Sequence, residues 1–274
     1  MADSSRSALS SRLETAWLRF LPHLTRDYLW VTVDGFRLFG SVAHQKILNQ
    51  LLKGSYERVT RQLFREAVGP GMHVLDIGAH VGYYTLVAAR EAGTQGRVHA
   101  FECDPRSYRF LCHNVKINVP RANVVTVPRA VAGRPGTRAF FLHGEAGGSS
   151  LWSRRGDETS IEVEATTVDD ILGGEAAHVI KMDIEGAELG ALEGMERTLA
   201  SSPSPVLFVE CNPRALAAAG GSSRALLERL AALGFRVQII DESRRALRPV
   251  NDELFVVELQ ENRKYYVNLY CVKE

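Results

Sequence analysis

The chain has 274 residues, enough for one large α/β domain or for a domain with an extension. Its 45% hydrophobic and 24% charged residues are ordinary for a soluble globular protein, and a formal net charge of +1 lacks the basic excess of a nucleic-acid binder. No apolar run approaches the ~20 residues of a membrane span. The four cysteines (Cys103, Cys112, Cys211 and Cys271) form no Cys-x-x-Cys pair, which argues for reduced thiols and against a structural zinc. The N-terminus also lacks the apolar core of a signal peptide. A cytoplasmic protein with no nucleic-acid and no membrane partner is expected.

Leu9, Leu13, Trp17, Phe20 and Leu21 share one helical face before Pro22. Asp34-Gly35 separates two alternating apolar runs and predicts a β-hairpin. A helix from Tyr56 to Glu66 then leads into Gly69-Pro70-Gly71. Residues 1–68 are expected to form an N-terminal accessory cap that packs on its own domain; a homodimer contact or a substrate lid is the alternative use of its apolar stripe, ahead of membrane-surface binding.

From residue 72 strands alternate with helices, which implies a mostly parallel sheet covered on both faces. The first strand, His73 to Ile77, breaks at Gly78 and Gly82 before a helical pattern. A second apolar run ends in Glu102, about two dozen residues beyond the turn, where an acidic side chain can accept from ribose hydroxyls. A dinucleotide fold wants Gly-x-Gly-x-x-Gly at such a turn; here Asp76-x-Gly78-x-x-x-Gly82 is one gap too wide and headed by a carboxylate. That suits the amino-acid end of S-adenosylmethionine better than a pyrophosphate, with a dinucleotide as the alternative.

Asp104-Pro105 starts a helix whose buried face is expected at Tyr108, Leu111, Cys112 and Val115. Further strands are expected over 124–128, 178–182, 205–210 and 235–240, and helices over 187–199 and 223–233, the latter closed by Gly234. The final Tyr265 to Val272 run is expected to insert antiparallel at the sheet end.

From Tyr56 onward the chain resembles the FkbM family of S-adenosylmethionine-dependent methyltransferases. The resemblance is carried by Asp76-Ile-Gly-Ala-His-Val-Gly-Tyr-Tyr-Thr, by Gly96-Arg-Val-His-Ala-Phe-Glu-Cys-Asp-Pro with Asn114 and Asn118, and by Ile180-Lys-Met-Asp-Ile-Glu-Gly-Ala-Glu with Leu192-Glu-Gly. Glu164-Ala-Thr-Thr-Val-Asp-Asp-Ile-Leu, Tyr56-Glu57 and Gly148-Ser149-Ser150-Leu151 add to it. Cys103 and His80 depart from the proline and asparagine common in the family. The first 55 residues match nothing recognisable.

The resemblance implies a Rossmann-like class I methyltransferase fold: a mostly parallel seven-stranded sheet with helices on both faces, over residues 69–274. It implies S-adenosyl-L-methionine as the cofactor, contacted by Glu57, Asp76, Gly78, His80, Gly82, Tyr83, Thr85, Glu102, Cys103, Ala130 and Asp183, with Val131 flanking the ring. Asp183 and Glu185, at the carboxyl edge of the sheet, are the candidate catalytic bases. Alternatively, Glu185 caps the following helix while Asp183 only orients the cofactor. Ser149, Ser150, Glu210 and Asn212 are candidate substrate contacts, and no metal is assigned. His113 is expected on the surface, and the arginine-rich loops (134–138, 154–155 and 244–245) as solvated faces.

The expected reaction is O-methylation of a small-molecule acceptor hydroxyl, on a saccharide or a secondary metabolite. N-methylation of an amino sugar or peptide is the alternative, followed by a dinucleotide-dependent oxidoreductase or a binding module without turnover.

Overall fold

The computed structural model describes residues 28–119, 123–143, 148–153, 159–250 and 266–273. The helix expected over 7–21 and the Arg154-Arg155 pair lie outside these residues. Strands β1 (Leu29–Val33) and β2 (Phe36–Gly40) form the expected hairpin, with Val33 opposite Phe36. Asp34 and Gly35 both have positive φ (51° and 81°), the twist that a two-residue hairpin turn requires.

β3 (His73–Ile77), β4 (Arg97–Phe101) and β5 (Val124–Val127) pair in parallel towards one edge. The chain then builds a separate three-stranded sheet from β6 (Ala130–Val131), β7 (Gly136–Phe141) and β8 (Ser160–Thr166). It returns to the other side of β3 with β9 (Val179–Met182), β10 (Val206–Cys211) and β11 (Phe235–Asp241). β12 (Ala246–Pro249) and β13 (Val267–Lys273) complete an eight-stranded sheet of order β12-β11-β13-β10-β9-β3-β4-β5. The chain therefore leaves β3 in one direction and resumes beside it at β9. Such a switch point opens a crevice beyond the carboxyl ends of the strands.

Several expectations need correction. The sheet has eight strands because β12 folds back antiparallel onto β11. The last strand is antiparallel as expected, but it lies between β10 and β11 and not at the sheet end. Leu269 and Cys271 are buried on one face and Asn268 on the other, which suits an interior strand. The helix expected over 187–199 is two, Glu188–Glu193 and Glu196–Ser201. At the break, a Cβ on Gly194 would stand 2.3 Å from the Ala132 carbonyl oxygen, so the helix meets the β6 loop where only glycine fits.

The Pro105–Asn118 helix begins as expected, with the Asp104 carboxylate accepting from the Arg106 N–H at 2.9 Å. Its buried face, however, is Ser107, Phe110, Leu111 and Asn114. The hairpin explains the rotation: Asn114 exchanges two 2.9 Å hydrogen bonds with the Phe39 backbone and donates to the Val81 carbonyl at 2.8 Å. His113 is exposed, as expected.

Alternation along the strands divides the core between the two sheet faces. Leu75, Ile77, Ile180, Met182, Leu207 and Val209 belong to one cluster. Val74, Val179 and Phe208 belong to the other, together with hairpin residues Leu29, Val31 and Leu38 and with Phe64 of the Arg58–Ala67 helix. The described part of the leading segment thus shares a core with the sheet.

Candidate active site at the carboxyl edge of the sheet

A cavity of about 620 Å³ opens at the β3–β9 switch point. Asp76, Gly78, His80, Tyr83, Glu102, Cys103, Ala130, Ser149, Asp183, Glu185 and Glu210 line it, so residues scattered over more than 130 positions converge on one space. Glu57, Gly82, Thr85, Ser150 and Asn212 are not in its wall. Thr85 instead donates its hydroxyl to Asp76, Asn212 donates to Glu185 at 3.1 Å, and Glu57 accepts from Tyr84 and Asn268 at 2.6 and 2.7 Å.

The turn after β3 is shaped by proximity. Gly78 has φ of +87°, and a Cβ there would lie 1.9 Å from the Asp183 carbonyl oxygen. His80 also has a positive φ of 53°. Its backbone N–H donates to Glu102 at 2.8 Å, and the other Glu102 oxygen accepts from the Asp104 N–H at 2.7 Å. Two backbone donors therefore aim the Glu102 carboxylate. Burial nevertheless pushes its pKa up to about 7, those donors opposing the shift. Asp76 is raised by burial to about 6, against the hydrogen bond from Thr85. The His80 imidazole, depressed by burial and Arg106 to about 4, is neutral, and its Nε2 is buried without a partner.

These features fit S-adenosylmethionine. Two carboxylates at the ends of adjacent strands, a glycine cradle and an unpaired buried imidazole nitrogen are acceptors and donors for the ammonium, hydroxyl and carboxylate groups of an amino-acid nucleoside. Cys103 is half-buried against the cluster that contains Ala130 and Phe140, so packing and a place in the cavity wall coincide.

Beyond this end the cavity becomes acidic. Asp183 directly follows β9 and receives Lys181 Nζ at 3.4 Å. Glu185 has φ of 52° and accepts from Asn212. The helix after Glu185 begins at Glu188, and the Glu188 carboxylate turns back to accept from the Ile184 and Gly186 N–H groups of the preceding turn. Glu210 is 4% exposed, its Oε1 has no partner, and burial with Asp183 and Glu185 nearby holds its pKa well above the carboxylate range. Tyr56 of the Tyr56-Glu57 pair also lines the cavity, as do Lys181, Tyr266, Arg129 and His143, which were not anticipated. Lys181 alone carried a signal: a lysine amid the apolar run Val-Ile-Lys-Met of a central parallel strand is costly to bury without a partner.

The sequence profile of the Methyltransferase FkbM domain matches residues 76–237, more than half of the chain. The chain belongs to this family. The match begins at the Asp76 carboxylate and reaches β11, so it encloses the glycine turn, Glu102, Asp183 and Glu210. Among curated proteins, the methyltransferase sdnD of Sordaria araneosa is 25% identical over 156 residues, 45% of this chain and 60% of that protein. The match thus spans less than two thirds of the relative's length. Among solved structures, an S-adenosylmethionine-dependent O-methyltransferase of Thermotoga maritima superposes with a TM-score of 0.46 at 12% identity, covering 90% of this chain and 78% of that one. An S-adenosylmethionine-dependent methyltransferase of Agrobacterium tumefaciens does so at 0.47 and 11%, covering 90% and 70%. The fold assignment rests on the strand order and the family match, not on these distant likenesses. Among the described residues no helix is long and apolar enough to cross a membrane.

Proposed function

We propose that this FkbM-family chain transfers a methyl group from S-adenosylmethionine to a hydroxyl of a small acceptor, a saccharide or a secondary metabolite. The observation that carries the proposal is one cavity whose end at Asp76, Gly78 and Glu102 is continuous with a carboxylate-lined end at Asp183 and Glu210. When bound, S-adenosylmethionine supplies an electrophilic methyl on a sulfonium. Glu102 would accept the ribose hydroxyls, Asp76 would orient the amino-acid moiety, and Cys103 and Ala130 would pack on the adenine. Holding the acceptor oxygen ~3 Å from the methyl, in line with the leaving sulfur, would account for much of the acceleration.

Asp183 is the group assigned to take the acceptor proton. Lys181 Nζ lies 3.4 Å from it, and the Asp183 side chain is 23% exposed within the cavity wall, so an acceptor can reach it. Glu210, held well above the carboxylate range, suits hydrogen bonding to the acceptor better than proton removal at neutral pH. Ser149, Arg129 and Tyr266 add polar groups in reach of a polyol.

One observation favours a second acceptor class. Asp183, Glu185 and Glu210 together would hold a cationic amine, so N-methylation of an amino sugar or peptide is the alternative. Calorimetric binding of S-adenosylhomocysteine to the wild type and to Glu102→Ala tests the cofactor assignment. Binding that the variant weakens supports it; no binding, or binding of NAD instead, overturns it.

A further inference from the structure

A polar row crosses the otherwise apolar hairpin-side face of the sheet. Asp76 on β3 is the register partner of Lys181 on β9, and Glu210 on β10 is the partner of Asn268 on β13. Their sequence neighbours Leu75, Ile77, Ile180, Met182, Val209, Cys211 and Leu269 all point into the opposite core. Glu57 closes the row from the preceding loop. It holds a left-handed backbone with φ of 39°, and it is tied to Asn268 and Tyr84. Carboxylate oxygens of Glu57, Asp183 and Glu210 lie within 4.8 Å of one another, a spacing at which they could ligate a cation.

That acidic cluster already has a cation. Lys181 is 1% exposed, its Nζ lies 3.4 Å from Asp183, and it stands 5.3 Å from the centre of the Tyr84 ring. Burial alone would depress its pKa, yet Asp183, Glu57, Glu210 and Asp76 outweigh it and keep the ammonium charged. We infer that Lys181 is the built-in cation of this site: its ammonium does for Glu57, Asp183 and Glu210 what a divalent metal would do, and so makes the site independent of metal. Carboxylates this close repel one another, and a buried lysine without partners is costly. The carboxylates outweigh the cost of burying the lysine, and its ammonium offsets part of the repulsion and burial that still hold Glu57 and Glu210 above their ordinary values. Lys181 is a positioning residue, because its ammonium holds the Asp183 carboxylate in place from 3.4 Å. The inference extends the methyl-transfer proposal by predicting transfer without a divalent ion.

The decisive probe is Mn2+, followed by electron paramagnetic resonance and by thermal unfolding, on the full chain. Wild type and Lys181→Arg are expected to bind no stoichiometric Mn2+. Lys181→Met is expected to gain a site for one ion per chain, with a midpoint that rises as Mn2+ is added. Lysine serving only as packing would not exchange for an ion. Stoichiometric Mn2+ on the wild type overturns the inference, as does a folded Lys181→Met that binds none. If Lys181→Met emerges unfolded, it is refolded from denaturant with and without Mn2+. Recovery only with the ion supports the inference, and failure in both overturns it. S-adenosylhomocysteine calorimetry on the same wild-type sample reports on the methyl-transfer proposal separately, since absence of that binding would leave the Mn2+ outcome standing.

Discussion

A Cβ placed on Gly78 would stand 1.9 Å from the carbonyl oxygen of Asp183. The turn after β3 and the residue following β9 therefore touch backbone to backbone, and the Asp76–Glu102 and Asp183–Glu210 ends of the cavity share one contact. Gly78 also has φ of +87°, where L side chains are strained. Gly78→Ala must displace backbone to fold at all. A cost of more than about 4 kcal/mol is expected, read as loss of the cooperative thermal transition or of soluble protein. Retention of the wild-type midpoint would contradict the contact.

Glu102 and Asp76 predict the pH dependence of cofactor binding. Their pKa values in the free protein, about 7 and about 6, lie above the ordinary 4.5 and 3.8. A raised carboxylate adds stability that is complete below its ordinary pKa and is lost as pH rises through the folded value, so the free protein sheds this stabilisation between about pH 4 and 7. Hydroxyl and ammonium donors favour the ionised forms. S-adenosylhomocysteine should therefore release protons on binding and bind more tightly as pH rises from 5.5 to 7.5, by roughly tenfold if one pKa falls by about one unit. Calorimetry in two buffers of different ionisation heat measures the protons released. Glu102→Gln should flatten the upper part of the profile.

Asp183→Asn separates proton removal from binding. The amide keeps the size of the side chain and removes its ability to accept a proton. Turnover of a hydroxyl acceptor should fall by on the order of 100-fold or more, while S-adenosylhomocysteine affinity changes little. Steady-state kinetics with calorimetry on one preparation checks both. Unchanged turnover would remove Asp183 as the base, and a small loss confined to amine acceptors would favour N-methylation.

Asn114 predicts a stability effect away from the cavity. Its side chain is fully buried, takes both backbone groups of Phe39 and also the Val81 carbonyl. Asn114→Ala leaves these groups unpaired where water enters poorly, at a cost of about 2–4 kcal/mol. Urea unfolding followed by circular dichroism gives the value. A loss below 0.5 kcal/mol would mean that the hairpin is held by its apolar face alone.

The sequence by itself determined the hairpin at Asp34-Gly35, the capped start of the Pro105 helix, the parallel core strands, and the family through its contiguous motifs. All of these are set by neighbours in the chain: a turn needing positive φ, a carboxylate aimed at free N–H groups, an apolar run bounded by glycine. Asp76, Gly78, Glu102 and Asp183 were legible as a site because strands of a parallel sheet present their carboxyl ends to one edge. The tertiary structure decided what depends on partners distant in sequence. Gly194 splits a helix because Ala132 lies against it, and Asn114 turns inward because the hairpin offers it a backbone. The last strand entered the interior because both its faces could be buried there. Lys181, one charge in an apolar strand, became intelligible only when Glu57, Asp183 and Glu210, from three other places in the chain, were found around it. A buried charge is tolerated for what surrounds it, and sequence proximity does not record those surroundings.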